Sequence, residues 1–161
     1  MQSNAWVFTI NNYTDEDLKR LDYIKRNSAF WVWGKEEAPT TGTRHIQGYI
    51  EFNQRRRRGA VSKELPRAYL EPAKGGFIEN ILYCTKEGEW ECLEPELGKA
   101  ARLSREKEED LKKFSVYEGM YICYWYLMND TEEYTWEWWL EECKKRKAFG
   151  LELGWEKRYV N

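Results

Sequence analysis

The stretch RHIQGYIEF (Arg44–Phe52) alternates apolar and polar side chains along its length. Successive strand residues project to opposite faces, so Ile46, Gly48, Ile50 and Phe52 share one side, and His45, Gln47, Tyr49 and Glu51 share the other. A strand with one such apolar face must lie in a sheet and have helices packed on that face. This requirement constrains the chain more than any other feature.

The flanking segments supply the rest of a sheet. AWVFTI (Ala5–Ile10) is a β-branched and aromatic run and reads as a first strand. Thr14, with Asp17 three residues on, reads as a helix N-cap with an acidic first turn, opening a helix over about 15–26 with Leu18, Leu21 and Ile24 inward. AFWVWGKE (Ala29–Glu36) is a second strand, joined through the hairpin segment EAPTTGT to the third, His45–Phe52. The basic run QRRRRG leads into a short helix, and AYLE (Ala68–Glu71) reads as a fourth strand. Phe77, Ile78, Ile81 and Leu82 recur at helical spacing, Gly88 suits a helix stop, and EWECLE closes the sheet. The order β-α-β-β-α-β-α-β predicts an α+β fold, a five-stranded antiparallel sheet of ferredoxin or RNA-recognition-motif type flanked by helices. The charged stretch ELGKAARLSREKEEDLKK reads as a solvated helix or linker. Residues 1–98 are therefore expected to form the main domain, and 99–161 a Trp-rich helical appendage.

At 161 residues there is room for one domain and a small addition. No apolar run approaches the ~20 residues of a membrane span. The four cysteines, Cys84, Cys92, Cys123 and Cys143, form no CxxC pair and read as reduced, partly buried thiols. The net charge of −2 gives no bulk attraction to nucleic acid, yet residues 1–74 carry thirteen Lys/Arg against nine Asp/Glu. A locally basic face is therefore compatible with the whole. Arg55, Arg56, Arg57 and Arg58 are the densest part of it; they follow the third strand closely enough to be expected beside its polar residues, as a solvated face, a nuclear-import patch or a clamp on DNA phosphates. Tyr49 and the Trp31/Trp33 pair are rings that could stack on bases, the tryptophans reading first as core.

On the polar face of the third strand, His45 and Gln47 set an imidazole nitrogen beside an amide oxygen. Glu36 or Glu37 stands across the hairpin and would complete a set of N and O donors suited to Mg2+ or Mn2+ rather than to structural zinc. Later, Tyr83 and Lys86 stand three apart, on nearly one face if residues 78–86 are helical. A tyrosine hydroxyl can serve as a nucleophile, and a neighbouring lysine can hold the tyrosinate or a phosphate oxygen.

Three segments in order, FTINN (Phe8–Asn12), HIQGYIEF after GKE, and YCTKEG, resemble the motifs of HUH-superfamily replication initiators. The resemblance is nearer to the Rep endonuclease domain of circovirus-like and nanovirus-like circular single-stranded DNA replicons. It extends over roughly 4–98 and includes LEPAKG between the motifs. It implies that Glu36, His45 and Gln47 hold a divalent metal, with Glu37 the alternative if the hairpin slips by one. Tyr83 would be the nucleophile, and Lys86 the motif lysine that orients the metal site or assists proton transfer. Phe8, Thr9, Asn11 and Asn12 would contribute to the fold and to DNA contact. Many relatives carry histidine where Gln47 stands; glutamine agrees with the circovirus-like branch.

The implied activity is metal-dependent nicking and joining of single-stranded DNA at an origin, presented as a stem-loop, to start rolling-circle replication. The implied location is intracellular, in the host nucleus for a eukaryotic virus and otherwise in the cytoplasm. A non-catalytic single-stranded nucleic-acid binder of RNA-recognition-motif type is the rival, because it shares the β-α-β-β-α-β order. The chain holds no G-x-x-x-x-G-K-[ST] loop for an ATP-driven helicase, so it reads as either a compact initiator or a fragment. The appendage would then pack on the nuclease domain or mediate self-association.

Overall fold

The structure, a computed structural model, describes residues 1–129 and 133–148. Residues 130–132 and 149–161, which belong to the expected helical appendage, lie outside the described residues. The chain divides into two compact units: 1–76 with 83–93, and 77–82 with the residues from 94 onward.

The first unit is the predicted sheet. Its strands are β1 (Gln2–Asn11), β2 (Ser28–Glu37), β3 (Arg44–Arg57), β4 (Tyr69–Pro72) and β5 (Glu89–Cys92). They are antiparallel in the order β4-β1-β3-β2-β5. Helix α1 (Asp15–Ile24) follows β1, and α2 (Arg58–Glu64) follows β3. The α1 start is a capping box: Asp17 N donates to Thr14 Oγ1 at 3.3 Å, and Thr14 N donates to Asp17 Oδ2 at 2.8 Å.

The apolar set of β3 faces the core as expected. Ile46, Ile50 and Phe52 are buried with Trp6, Phe8 and Ile10 of β1, Trp31 and Trp33 of β2, Leu21 and Ile24 of α1, and Val61 of α2. Trp31 and Trp33 stack with ring centroids 4.5 Å apart, so both belong to the core and neither offers a face to a base. Phe8 stands opposite Gly48 across β1 and β3, and its ring occupies the space a Cβ at position 48 would need.

Two expected boundaries move. β3 does not end at Phe52 but continues to Arg57, because Ser3 and Gln2 of β1 pair with Arg56 and Arg57. Arg56 lies over the Phe52 ring, 4.2 Å from its centroid, and Arg58 lies 5.7 Å from that of Trp6. The helix expected through Lys86 is α3 (Phe77–Cys84), so Lys86 sits in the bend before β5.

The second unit contains Phe77–Leu82 of α3 together with α4 (Pro95–Glu106), α5 (Glu108–Leu111), α6 (Val116–Met128) and α7 (Trp136–Ala148). The segment expected to be a solvated helix or linker is helical, α4, but it is not solvated all round. Leu97, Ala100 and Ala101, at i, i+3 and i+4, are fully buried on it. The boundary expected between 98 and 99 falls inside this helix. Ser115 and Glu118 form a capping box at α6, Trp136 Nε1 donates to Asp110 Oδ2 at 2.8 Å, and Trp139 Nε1 donates to the Ile122 carbonyl at 2.8 Å. All four cysteines are free and buried. No described helix is long and apolar enough to cross a membrane.

A methyl at position 48 has no room unless the Phe8 ring moves within a filled core. Gly48→Ala is therefore expected to destabilise by about 1–3 kcal/mol. This reads as a lower urea midpoint at unchanged m-value, and adding Phe8→Leu should recover part of the loss.

Candidate active site

The face of the sheet opposite the α1 side gathers the polar residues of β3 between two neighbours. In one row His45 is flanked by Asn11 of β1 and Glu36 of β2. In the next row Gln47 is flanked by Thr9 of β1 and Gly34 of β2. His45 Nε2 lies 3.2 Å from Glu36 Oε1, and the Glu36 side chain is 6% exposed. Glu37 pairs with Arg44, one residue out of phase, so it projects to the other face and is exposed. Of the two carboxylates across the hairpin, Glu36 is the one that shares the face with His45. Thr9 Oγ1 donates to Gln47 Oε1 at 2.9 Å. An open depression of about 470 Å³ lies over this patch, lined by Thr9, Asn11, Asn12, His45 and Gln47 and walled by the hairpin residues Thr41 and Thr43.

Lys86 joins this patch to the tyrosine. Its ammonium lies 2.5 Å from Glu36 Oε2, donates to the Tyr83 carbonyl at 3.3 Å and stands 3.8 Å from the centroid of the half-exposed Tyr83 ring. Position in the bend, not on the helix, makes this reach available. Both oxygens of the buried Glu36 carboxylate are thereby engaged, one by the imidazole and one by the ammonium, which offsets its desolvation.

Gly34 explains how the chain at Tyr83–Lys86 comes close to β2. A Cβ at this position would overlap the carbonyl oxygen of Cys84, the last residue of α3. The sequence reading missed Gly34, although an isolated glycine inside a strand signals close approach of another backbone. Burial pushes the Cys84 thiol up to about 12, the charge of Lys86 opposing the shift. The thiol thus stays neutral beside the site and offers no thiolate. Among the described residues no group of three His, Cys, Asp or Glu side chains is placed to hold a metal. The donors gathered here are one imidazole nitrogen, one carboxylate and one amide oxygen.

The remaining candidates separate. Phe8 is 2% exposed in the core, so its contribution is to packing and it has no surface for DNA. Asn11 and Asn12 are exposed at the rim of the depression. Asn12 takes φ 52°, a left-handed conformation that asparagine tolerates. Arg67 holds this turn by donating to the Asn11 and Asn12 carbonyls at 3.2 and 3.3 Å and pairing with the buried Asp17. Tyr49, expected to be exposed, is 4% exposed, and burial together with the Glu51 carboxylate pushes its phenol well above the usual range. The aromatic strand surface that a non-catalytic binder of bases would use is therefore absent from β3.

The arginine run is not beside the site. On β1 the partner of His45 is Asn11 and that of Arg56 is Ser3, a separation along the strand of roughly 26 Å at about 3.3 Å per residue. Three of the four arginines have partners within the protein: Arg55 donates to the Gln2 carbonyl at 2.9 Å, Arg56 pairs with Glu64 at 2.7 Å, and Arg58 donates to the Leu70 carbonyl. The extension of β3 carried the cluster to the far end of the strand.

Gly34→Ala is expected to force the backbone of Cys84 away from β2, because neither contacting group is a movable side-chain tip. The amide signals of Tyr83, Cys84 and Lys86 should shift more than those of β4 in a 1H–15N spectrum. Changes no larger at 83–86 than at β4 would show that the contact does not place them.

Residues 3–87, which contain every residue of this patch, match the Viral_Rep family of viral replication proteins. Over 84 residues the chain is 38% identical to the replication-associated protein of beak and feather disease virus, an alignment covering 52% of this chain and 29% of that protein. It is 39% identical over 88 residues to that of canary circovirus, covering 54% and 30%. It is 40% identical over 83 residues to the master replication protein of banana bunchy top virus, covering 52% and 27%. The matches thus span under a third of the length of these relatives. With residues of all three sequence motifs inside the matched span, the chain belongs to the viral replication protein family and carries a Rep domain of the circovirus- and nanovirus-like kind.

Proposed function

We propose that this domain nicks and rejoins single-stranded DNA at a replication origin, presented as a stem-loop, through a 5'-phosphotyrosine on Tyr83, and so starts rolling-circle replication. One observation carries the reading. A single ammonium, Lys86, lies within 4 Å of both the Glu36 carboxylate, itself paired with His45, and the Tyr83 ring. Residues far apart in sequence meet there, and none of these contacts is needed to fill the core.

Glu36, His45 and Gln47 are the residues that would hold a divalent ion. A nitrogen and two kinds of oxygen donor, without a thiolate, fit Mg2+ or Mn2+ better than structural zinc. Such an ion, when bound, supplies Lewis-acid polarisation of the scissile phosphate. The chain's own groups do the rest. The Tyr83 oxygen attacks phosphorus in line, forming one P–O bond as the bond to the 3'-oxygen breaks. The phenolic proton passes to water and the departing 3'-oxygen takes a proton from water, leaving as a 3'-hydroxyl, so the step is balanced. Lys86 stabilises the negative charge that develops on the tyrosine oxygen and on the phosphate. The 5'-phosphate stays esterified to Tyr83, so attack by a later 3'-hydroxyl reverses the step and joins strands without ATP. Asn11 and Asn12 line the depression, and on this reading they would touch the nucleotides that flank the scissile bond.

Tyr83→Phe is expected to abolish the covalent protein–DNA species seen on denaturing gels with stem-loop single strands and Mn2+, and chelation of the ion should abolish it for the unaltered protein. Adduct formed by the Tyr83→Phe protein would reject Tyr83 as nucleophile. Lys86→Met should retain DNA binding but slow adduct formation by about 10²-fold or more, the scale of a lost charge-stabilising donor.

A further inference from the structure

We infer that Thr9 is a positioning residue for Gln47: its hydroxyl fixes which end of the Gln47 amide is turned for metal ligation. The inference rests on the metal-site reading above and goes beyond it. The two candidate donors on β3 are held differently. His45 has Glu36 directly across β2, with a contact of 3.2 Å. Gln47 has Gly34 in the corresponding place, which has no side chain to offer. Nor can Gly34 be given one, because the Cys84 carbonyl occupies the space. Of the two residues directly opposite Gln47, only the one on β1 has a side chain. Thr9 is its register partner there, and Thr9 Oγ1 donates to Gln47 Oε1 at 2.9 Å.

An amide's terminal torsion is broad and nearly two-fold, so an unrestrained glutamine presents its oxygen and its NH2 group about equally. Only the oxygen can ligate a cation, since the NH2 group offers hydrogens. A carbonyl oxygen has two lone pairs, so one can accept from Thr9 while the second stays available to an ion. Donation to the oxygen also increases its negative character. Partners of this kind, one bond behind a ligand, typically change metal affinity by 10–100-fold when removed. Thr9 thus has a role toward Gln47, distinct from contact with DNA.

The test uses Mn2+ alone, with bound and free ion separated by electron paramagnetic resonance, on the full chain. Thr9→Val keeps shape and strand propensity while removing the donor, and is expected to weaken Mn2+ binding about 10-fold or more. Thr9→Ser restores the hydroxyl and should return affinity to within about threefold. In a Gln47→Ala background, Thr9→Val should have no further effect, an outcome that general loosening of β1 would not produce. Equal affinity of the unaltered and Thr9→Val proteins, or the same loss in both backgrounds, overturns the inference. Mn2+ binding insensitive to Gln47→Ala instead overturns the metal-site reading beneath it. Independently of metal, the Gln47 side-chain NH2 pair in a 1H–15N spectrum should shift in Thr9→Val and return in Thr9→Ser. An unmoved pair would show that the hydroxyl does not hold the amide.

Discussion

The antiparallel register of β3 between β1 and β2 is the constraint on which the rest depends. It sets His45 opposite Glu36 and Gln47 opposite Thr9 while turning Ile46, Ile50 and Phe52 into the core. The two outcomes cannot be separated, because the side-chain period of a strand is two. A slip of one residue would carry the isoleucines to the polar face and the imidazole into the core. Burial of the apolar set thus holds the polar set in place, and the geometry of the site is secured by packing on the opposite side of the sheet.

Two glycines make the arrangement feasible. Gly48 leaves space for the Phe8 ring on the core side, and Gly34 leaves space for the end of α3 on the site side. Each lies opposite or beside a residue of the polar patch, so the sheet gives up side-chain packing at two central positions. In return, an aromatic ring closes the core and the chain at Tyr83–Cys84 comes close to β2. The buried Glu36 is then balanced by two basic side chains drawn from different elements, and its position carries information from both.

Much of this was legible beforehand. The alternation of residues 44–52, the Thr14–Asp17 cap and the order of elements all follow from local rules, and the structure keeps them. Two departures share one cause. QRRRRG reads as a basic run beyond the strand, and ELGKAARLSREKEED as a solvated helix or linker, because charge is a sign of solvent. In the first, pairing with Gln2 and Ser3 and the lie of arginine side chains along Phe52 and Trp6 outweighed charge. In the second, the buried stripe of Leu97, Ala100 and Ala101 was already at helical spacing, hidden among lysines and glutamates. Tyr49 was misjudged similarly: alternation placed it on the polar face, but a face assignment does not tell what covers that face.

The sequence by itself determined the family, the sheet and the identity of the residues on the polar face, because those depend on residue type and on a period of two. It left Glu36 and Glu37 unresolved, placed Lys86 on a helix and put the arginines near the site. Only the tertiary structure decided these, since each depends on the register of one strand against another and on where a helix ends over a sheet. Those are contacts between residues tens of positions apart, and no local pattern encodes them.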